Sequence, residues 1–163
     1  MAALSSFDVV SRFDQQEMKN AIDQARREIQ QRYDLKDTGT EITLSDDEIA
    51  IGTASEYSLQ AVRDIIESKM VRRNLSLKIL DYGNEEPASG GRVRQSAKLK
   101  QGIAEDLAKQ ISKRIRDDYK KVTPQIQGDV VRVQAKNKDD LQTVIQALKE
   151  ADFPVALQFV NYR

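Results

Sequence analysis

The sequence predicts an α+β protein built from two similar domains. Three observations lead to this prediction: the apolar pattern repeats, both halves contain the same order of elements, and two prolines fit sheet edges. When residues 7–81 are shifted forward by 82 positions, their apolar residues fall on apolar residues of the second half. The matched positions in the two long helices are Ala21 and Ile103, Ala25 and Leu107, Ile29 and Ile111, and Tyr33 and Ile115. A repeat of this length indicates that the structural unit is about half of the chain.

Each half is predicted to run strand, helix, strand, strand, helix, strand. In the first half, alternation of apolar and polar residues predicts a strand over Phe7–Arg12. Asp14 is the expected N-cap of a helix that continues to about Tyr33. The apolar stripe of this helix consists of Ile22, Ala25, Ile29 and Tyr33. Glu41–Leu44 and Glu48–Gly52 form a predicted hairpin, because Ser and Asp favour the turn between them.

A second helix, capped by Ser55, completes the first half together with a strand predicted over Leu75–Leu80. The segment Tyr82–Arg92 is rich in Gly, Pro and Ser, which is typical of an interdomain linker. The elements predicted for the second half are a strand over Val93–Lys98, a helix over Gln101–Asp117, a hairpin of Val122–Gln127 and Val130–Lys136, a helix over Asp140–Glu150 capped by Asn137, and a strand over Val155–Asn161.

This order of elements is that of a ferredoxin-like sandwich, in which two helices cover one face of an antiparallel sheet. The second and fourth strands are the sheet edges in that topology. Pro124 falls in the second strand of the second half, and Pro154 falls at the start of the fourth. Proline cannot donate a ladder hydrogen bond and is tolerated at edges and strand starts, so both positions agree with the predicted fold.

The composition excludes several classes of protein. There is no apolar run of about 18 residues and no secretory signal, so we expect neither a membrane span nor export. The absence of cysteine fits a cytoplasmic protein. Without histidine or cysteine, no imidazole-activated nucleophile and no Cys/His zinc site can form. The acidic cluster that could hold a metal ion consists of Asp46, Asp47 and Glu48. The preference of Asp for turns already explains these residues as part of a polar hairpin turn.

Charge is distributed unevenly although the net charge is zero. Residues 13–97 carry 12 basic and 16 acidic side chains, a net charge of −4, and the remainder carries 14 and 10, a net charge of +4. The basic part is therefore expected to meet an anion. The predicted polyanion-binding surface consists of Lys109, Lys113, Arg116 and Lys120 on a helix and Gln125, Gln127, Arg132 and Gln134 on the sheet. An ordinary solvated helix face explains the same lysine pattern.

Several short stretches carry a resemblance to a known family. They are Ser6–Ser11 (SFDVVS), Ala97–Ile103 (AKLKQGI), Gln125–Asp129 (QIQGD), Val131–Val133 (VRV) and Asp139–Gln142 (DDLQ). Over essentially its whole length the chain resembles the YajQ family of small bacterial nucleotide-binding proteins. The resemblance implies a cytoplasmic binding protein rather than an established enzyme, with nucleic acid and cyclic dinucleotides among the associated ligands. It also implies that the two domains exchange their first strands.

With this exchange, the expected domains are an acidic one of residues 13–97 and a basic one of residues 1–12 and 98–163. Their crossing lies near Lys98, Lys100, Gln101 and Gly102, which are the predicted nucleotide-binding residues. Free backbone N–H groups at a helix start near Gly102, together with two ammonium groups, would suit a phosphate. In the alternative interpretation, Gly102 only allows close packing and the two lysines are solvated.

We therefore predict a nucleotide-binding protein that is not an enzyme and needs no cofactor. Its basic domain would recognise the phosphates of a nucleotide, a cyclic dinucleotide or RNA, and a protein partner is a further candidate. The alternative is a protein-interaction adaptor or regulator without a physiological nucleotide ligand. A third interpretation is a small metal-dependent enzyme that handles phosphate through Asp, Glu and Lys. No membrane partner is expected.

Overall fold

The computed structural model describes residues 3–163 and shows an α+β protein with antiparallel sheets and four α-helices in that range. In chain order, the strands and α-helices are β1 (Ser5–Val10), α1 (Gln15–Gln31), β2 (Glu41–Leu44), β3 (Glu48–Thr53), α2 (Glu56–Arg72), β4 (Leu80–Tyr82), β5 (Glu86–Ala88), β6 (Arg92–Leu99), α3 (Glu105–Asp118), β7 (Val122–Gln127), β8 (Val130–Ala135), α4 (Lys138–Glu150) and β9 (Gln158–Val160). Short 3₁₀ turns cover Leu77–Ile79 and Ser89–Gly91.

The chain forms two compact units. Unit 1 combines the N-terminal residues up to Arg12 with Gln101–Arg163, and unit 2 is Phe13–Lys100. Each unit contains a sheet and two α-helices, and each has a separate buried apolar core.

In unit 1 the strands lie in the order β7-β8-β1-β9, and every neighbouring pair is antiparallel. β1 is therefore an interior strand, although it comes from the start of the chain. Phe7 and Val9 are fully buried and stand opposite Val133 and Val131 of β8. Alternation along β1 and β8 sends these side chains to the face that packs against α3 and α4, where the core of unit 1 lies.

In unit 2 the strands lie in the order β2-β3-β6-β4, and β5 also pairs with β6. β6 is the interior strand between β3 and β4, and all pairings are antiparallel. The core of unit 2 is formed by the apolar stripes of α1 and α2 and the inner residues of the sheet. Met18, Ile22 and Met70 are completely buried there.

The segment Tyr82–Arg92 is not the predicted interdomain linker, because it belongs to unit 2. β5 lies within it and pairs antiparallel with the start of β6. Gly90 and Gly91, with φ of 76° and 74°, form the connection between the two strands. These glycines supply positive φ for a tight reversal, a use of glycine that composition does not distinguish from linker flexibility.

Two predicted helix boundaries are wrong. α1 ends at Gln31, so Tyr33 leaves the helix and is 88% exposed, while Leu35 is 1% exposed and fills the core instead. α3 begins at Glu105 rather than Gln101 and ends at Asp118, so Lys120 lies in the turn before β7. Gly102 has φ of 81°, which is incompatible with a right-handed helix at that position.

Two predicted strands are also shorter than expected. The stretch predicted as Leu75–Leu80 contains a 3₁₀ turn, and β4 starts only at Leu80. The final strand covers Gln158–Val160, so Pro154 precedes it instead of opening it. Polar caps and tight turns override the local strand propensity here, as at Ser76, whose side chain accepts a hydrogen bond from the Lys78 N–H.

The predicted helix caps are confirmed. The Asp14 side chain accepts hydrogen bonds from the N–H groups of Gln16 and Glu17, and Ser55 forms a reciprocal capping box with Ser58. Asn137 accepts from the Asp139 N–H at 2.8 Å. Pro124 lies in the edge strand β7, as predicted. Within residues 3–163, none of the helices combines the length and hydrophobicity that a bilayer crossing requires.

Candidate functional site

Unit 1 contains a cavity of about 680 Å³ where β7 begins and β8 ends. Its walls combine apolar and polar surface and consist of Leu4, Lys121, Thr123, Gln134, Ala135, Lys136, Asn137 and Asp140. Small-molecule sites in proteins typically measure about 300–1,000 Å³, so this cavity has room for a nucleotide.

The cavity opens beside the sheet face that α3 and α4 do not cover. In register, Thr123 stands opposite Gln134, and Gln134 stands opposite Ser6. Two residues further along, Gln125 stands opposite Arg132, which stands opposite Asp8. Four of the residues predicted for the polyanion-binding surface follow this face, namely Gln125, Gln127, Arg132 and Gln134. Their amide and guanidinium groups offer hydrogen-bond donors and acceptors without an aromatic platform.

Arg132 on this face forms an ion pair that the sequence analysis missed. Its Nε donates to Oδ1 of Asp8 at 3.0 Å, and Nδ2 of Asn161 donates to Oδ2 of the same carboxylate at 2.9 Å. The hydrogen bond from Arg132 is the main cause that lowers the pKa of Asp8, although burial opposes it. Arg132 is therefore partly neutralised. The one indication of this ion pair in the sequence is Asp8, an acidic residue within the otherwise apolar stretch Phe7–Val10.

The basic helix face is weaker than its spacing predicts. Lys109 Nζ lies 3.1 Å from Glu105, and Lys113 Nζ lies 3.5 Å from Asp117, both one turn away on α3. Across α3, four acidic side chains balance four basic ones. Exposed pairs of this kind contribute little energy and are easily displaced, so a contact between Lys109, Lys113, Arg116 and polyanions stays a prediction.

Lys121 and Lys136 differ from these paired lysines. Both are exposed, and among the described residues neither ammonium lies within 4.0 Å of a carboxylate oxygen. They line the cavity on either side of the β7 and β8 ends. Neither lysine belongs to the site that the sequence predicts, and the same is true of Thr123 and Asn137. Their convergence follows from the register of the hairpin, which local spacing does not reveal.

The predicted nucleotide-binding residues at the crossing fall in both units. Lys98 and Lys100 belong to unit 2, whereas Gln101 and Gly102 belong to unit 1. Lys98 is exposed on β6 and stands opposite Glu48 of β3 and Asp81 of β4. Two acidic neighbours in register reduce the positive potential that Lys98 would offer to a phosphate.

The amide groups near Gly102 are not free, so this part of the phosphate argument is wrong. The Gly102 N–H donates to the Ser11 carbonyl at 2.6 Å, and the Ile103 N–H donates to the Asp129 carbonyl at 3.1 Å. A Cβ on Gly102 would lie 2.8 Å from Oδ2 of Asp129, so glycine permits close packing there. A phosphate contact by Lys98, Lys100, Gln101 or Gly102 stays a prediction, but it can no longer rely on the N–H groups of Gly102 and Ile103.

The carboxylates offer no candidate metal site in the described part of the chain. Within residues 3–163, no group of three or more Asp or Glu side chains has an arrangement that could hold a metal ion. In the β2–β3 turn, Ser45 Oγ donates to Oδ1 of Asp47 at 3.1 Å, which agrees with the turn interpretation of that acidic stretch.

Comparison with known proteins gives matches along the whole chain. The family described as "Nucleotide-binding protein YajQ-like" matches residues 5–163. A protein of Acaryochloris marina named as a nucleotide-binding protein is 63% identical over 163 residues, covering 100% of both chains. Proteins with the same description from Synechococcus sp. (strain JA-3-3Ab) and Trichormus variabilis are 61% and 60% identical, again over 100% of both chains.

Proposed function

The chain belongs to the YajQ-like family of nucleotide-binding proteins, and we propose that it binds a nucleotide through unit 1. The observation that carries this proposal is the cavity of about 680 Å³, which combines two lysines, a hydroxyl group and side-chain amides. Lysines suit phosphate oxygens, and Gln or Asn amides can pair with the edges of bases. The names of the relatives support the same ligand class.

The charge of the units supports the choice of unit 1. Unit 1 carries 12 basic and 10 acidic side chains, a net charge of +2, and unit 2 carries 14 and 16, a net charge of −2. The asymmetry is smaller than the one expected for residues 13–97, because the boundary at Lys100 transfers Lys98 and Lys100 to unit 2. Local lysine placement, rather than net charge, is therefore the main attraction for a phosphate.

We propose that binding is not accompanied by catalysis and takes place in the cytoplasm. A chain without histidine and cysteine has few groups that exchange protons or attack substrates near neutral pH. The buried carboxylate of Asp8 is engaged by Arg132 and Asn161 and is thus poorly suited to act as a base. The cytoplasmic assignment rests on the absence of cysteine and on the family.

We propose that the two units correspond to duplicated ferredoxin-like domains, 13–97 and 1–12 with 98–163, that exchange their first strands. If β1 and β6 are counted as first strands, both sheets have the strand order second-third-first-fourth. β3 starts at Glu48 and β8 at Val130, which is the spacing of 82 residues found in the sequence. Each first strand then lies in the interior of its sheet, between the third strand and the fourth.

Titration calorimetry with purified full-length protein tests the function. The ligands are the four nucleoside monophosphates, a cyclic dinucleotide and a short single-stranded RNA, each measured at low and moderate salt. We expect saturable binding of at least one mononucleotide or cyclic dinucleotide, weakening as salt rises. Binding of the RNA alone would indicate that the ligand is RNA and that it binds to the sheet face that α3 and α4 do not cover. If the protein binds none of these ligands, the proposal is contradicted.

A protein-interaction adaptor is the second candidate, favoured by two exposed aromatic side chains in unit 2. Tyr33 is 88% exposed and Tyr57 is 69% exposed. Tyrosine is enriched among residues that dominate binding at protein interfaces. The double variant Tyr33→Ala with Tyr57→Ala should lose a protein partner but retain nucleotide binding, whereas loss of nucleotide binding alone in this variant would argue against the adaptor.

A further inference from the structure

We propose that Lys121 and Lys136 are the phosphate-binding groups of the unit 1 cavity. The proposal rests on the proposed nucleotide function and assigns the phosphate end of the ligand to a particular pair of side chains. The group recognised is a phosphate, whether it belongs to a mononucleotide, a cyclic dinucleotide or inorganic pyrophosphate.

The register of the β7–β8 hairpin brings the two lysines together. Val122 stands opposite Ala135, and both are buried in the core. One residue beyond this pair, Lys121 lies in the turn before β7 and Lys136 lies in the bend after β8, and both line the same cavity as Thr123 and Gln134. Two ammonium groups on flexible stems can therefore reach one phosphate.

The energetics of this pair favour an anion between the lysines. Like charges that line one cavity repel each other, and no carboxylate oxygen of the described residues lies within 4.0 Å of either ammonium. By contrast, Lys109, Lys113 and Arg132 of the same unit have such partners. A phosphate would replace the repulsion with charge-assisted hydrogen bonds to both groups.

The rest of the cavity is compatible with a nucleotide held at this point. Asp140 is the carboxylate in the lining, and it lies in the first turn of α4, where the helix dipole favours a negative charge. Thr123 and Gln134 add a hydroxyl and an amide on the sheet side of the lysines. Leu4, which is 54% exposed, supplies an apolar wall for a sugar or base.

The test compares two lysine pairs in the full chain. The variant Lys121→Ala with Lys136→Ala removes the proposed contacts, and the control Lys19→Ala with Lys36→Ala removes two exposed lysines of unit 2. Calorimetry with inorganic pyrophosphate and with the tightest-binding nucleotide of the titration should show a loss of about tenfold or more for the first variant. The control should change affinity by less than about twofold, because Lys19 and Lys36 lie outside unit 1, which contains the cavity.

Two further measurements keep the proposal testable if the double variant is poorly folded. In the wild-type protein, pyrophosphate should shift the backbone amide resonances of Thr123 and Gln134 more than those of the β2–β3 hairpin. Lys136→Glu should raise the melting temperature, because it places a negative charge at the cavity that Lys121 also lines, and it should abolish pyrophosphate binding. A gain in stability with unchanged pyrophosphate affinity would overturn the assignment.

The outcomes separate this proposal from the proposed function. Nucleotide binding that survives unchanged in the Lys121/Lys136 variant overturns the phosphate assignment and leaves the function intact. Pyrophosphate binding that depends on the two lysines, without binding of any nucleotide, supports the phosphate site and contradicts the function. The absence of both pyrophosphate and nucleotide binding by the wild-type protein contradicts both proposals.

Discussion

At the scale of single residues, Asp8 shows how one charge is accommodated inside a sheet. The residue is 5% exposed, yet its carboxylate accepts hydrogen bonds from Arg132 and Asn161. A buried carboxylate is tolerated when its oxygens are paired in this way, and removing a partner leaves an uncompensated group. Asp8 therefore connects three strands of unit 1, since Arg132 lies on β8 and Asn161 directly follows β9.

The pairing of Asp8 predicts a loss of stability in acid. Its pKa is lowered in the folded protein, so its contribution is fully present above the unfolded pKa near 3.8 and is lost as pH falls through the lower folded pKa. Asp8→Asn should lower the free energy of unfolding at pH 7 by about 2 kcal/mol and should flatten the decline below pH 4. Urea titrations between pH 7 and pH 2 measure both effects.

The matched control for this prediction is Asp37→Asn, which alters an exposed carboxyl of unit 2. We expect this control to keep the wild-type free energy of unfolding at pH 7 within about 0.5 kcal/mol, because its side chain is exposed. If the free energy of unfolding of Asp8→Asn falls below pH 4 as steeply as that of the wild-type protein, other carboxyl groups determine the acid sensitivity.

The predicted role of Lys98 and Lys100 is also a residue-scale question. If both contact a phosphate, Lys98→Ala with Lys100→Ala removes two charge-assisted contacts of about 1.5–3 kcal/mol each and weakens nucleotide binding by well over tenfold. If Lys98 instead interacts with Glu48 and Asp81, which stand opposite it in the sheet, the nucleotide affinity of the double variant stays near that of the wild-type protein. Calorimetry on the folded double variant decides, with the Lys121/Lys136 pair as the competing site.

At the scale of elements, the sequence predicts hairpins better than helix boundaries. The β2–β3 and β7–β8 hairpins have strong local signals, as in the two-residue turn of Gly128 and Asp129. Helix ends depend on which apolar residue reaches the core. Ile29 and Leu35 are both buried, and the chain leaves the helix between them, so Tyr33 turns outward despite helical spacing from Ile29.

Tyr33 and Ile115 occupy equivalent positions in the sequence repeat but differ in burial, and this difference should appear in their contributions to stability. Ile115 is completely buried on α3, so Ile115→Ala should lower the free energy of unfolding by about 3 kcal/mol. Tyr33→Ala should change it by less than about 0.5 kcal/mol, because the ring is exposed. Denaturant titrations of the two variants give the comparison, and equal losses would mean that Tyr33 packs in the core.

The loop before α3 depends on Gly102 for two separate reasons. Its φ of 81° disfavours any other residue, and a Cβ would meet the Asp129 side chain at 2.8 Å. Gly91 has φ of 74° but nothing within 4 Å of its Cβ position. Gly91→Ala should therefore cost about 1 kcal/mol for the backbone alone, and Gly102→Ala should cost more.

The steric part of the Gly102 effect has its own control. Combining Gly102→Ala with Asp129→Ala removes the 2.8 Å contact with the carboxylate oxygen, keeps the 3.2 Å contact with the Cβ of residue 129, and retains the strained φ. We expect the double variant to recover stability toward the level of Gly91→Ala in thermal unfolding. If the double variant is no more stable than Gly102→Ala, the contact with the carboxylate does not contribute to the loss. Equal losses of stability in Gly102→Ala and Gly91→Ala would lead to the same conclusion.

The candidate site was predictable only in part. Gln125 and Gln134 alternate with apolar neighbours along their strands, and this alternation is enough to predict that they lie on the open sheet face. Lys121 and Lys136 lie 15 positions apart in the sequence, and only the strand register brings them to one cavity. The Asp8–Arg132 pair joins residues that are 124 positions apart, a long-range contact that local periodicity cannot indicate.

At the scale of the whole molecule, each sheet has an interior strand whose place in the sheet does not follow its place in the chain. β1 lies between β8 and β9, and β6 lies between β3 and β4. The inner side chains of these central strands, such as Val9 and Ala97, are 0% and 2% exposed. Each unit should therefore depend on the central strand that it contains, whatever the position of that strand in the sequence.

Buried charges in the two central strands test this dependence. Val9→Asp should remove hydrogen-exchange protection from β7 and β8 while β2 and β3 remain protected, because an unpaired buried carboxylate is very unfavourable. Ala97→Asp should produce the reverse pattern. Mass spectrometry of deuterium uptake in the two variants provides the measurement. Loss of protection in β2 and β3 after Val9→Asp would contradict the assignment of β1 to unit 1.

The location of β1 has a consequence for the order in which the ribosome delivers the chain. β1 is synthesised first, but Arg132, the partner of Asp8, follows 124 residues later. At translation rates of about 5–20 residues per second, the nascent strand waits roughly 6–25 s for its neighbours. An unpaired apolar strand is prone to pair with other chains, and a charge within it discourages such pairing. Asp8 would thus protect the nascent β1 strand from aggregation before it becomes a buried partner of Arg132.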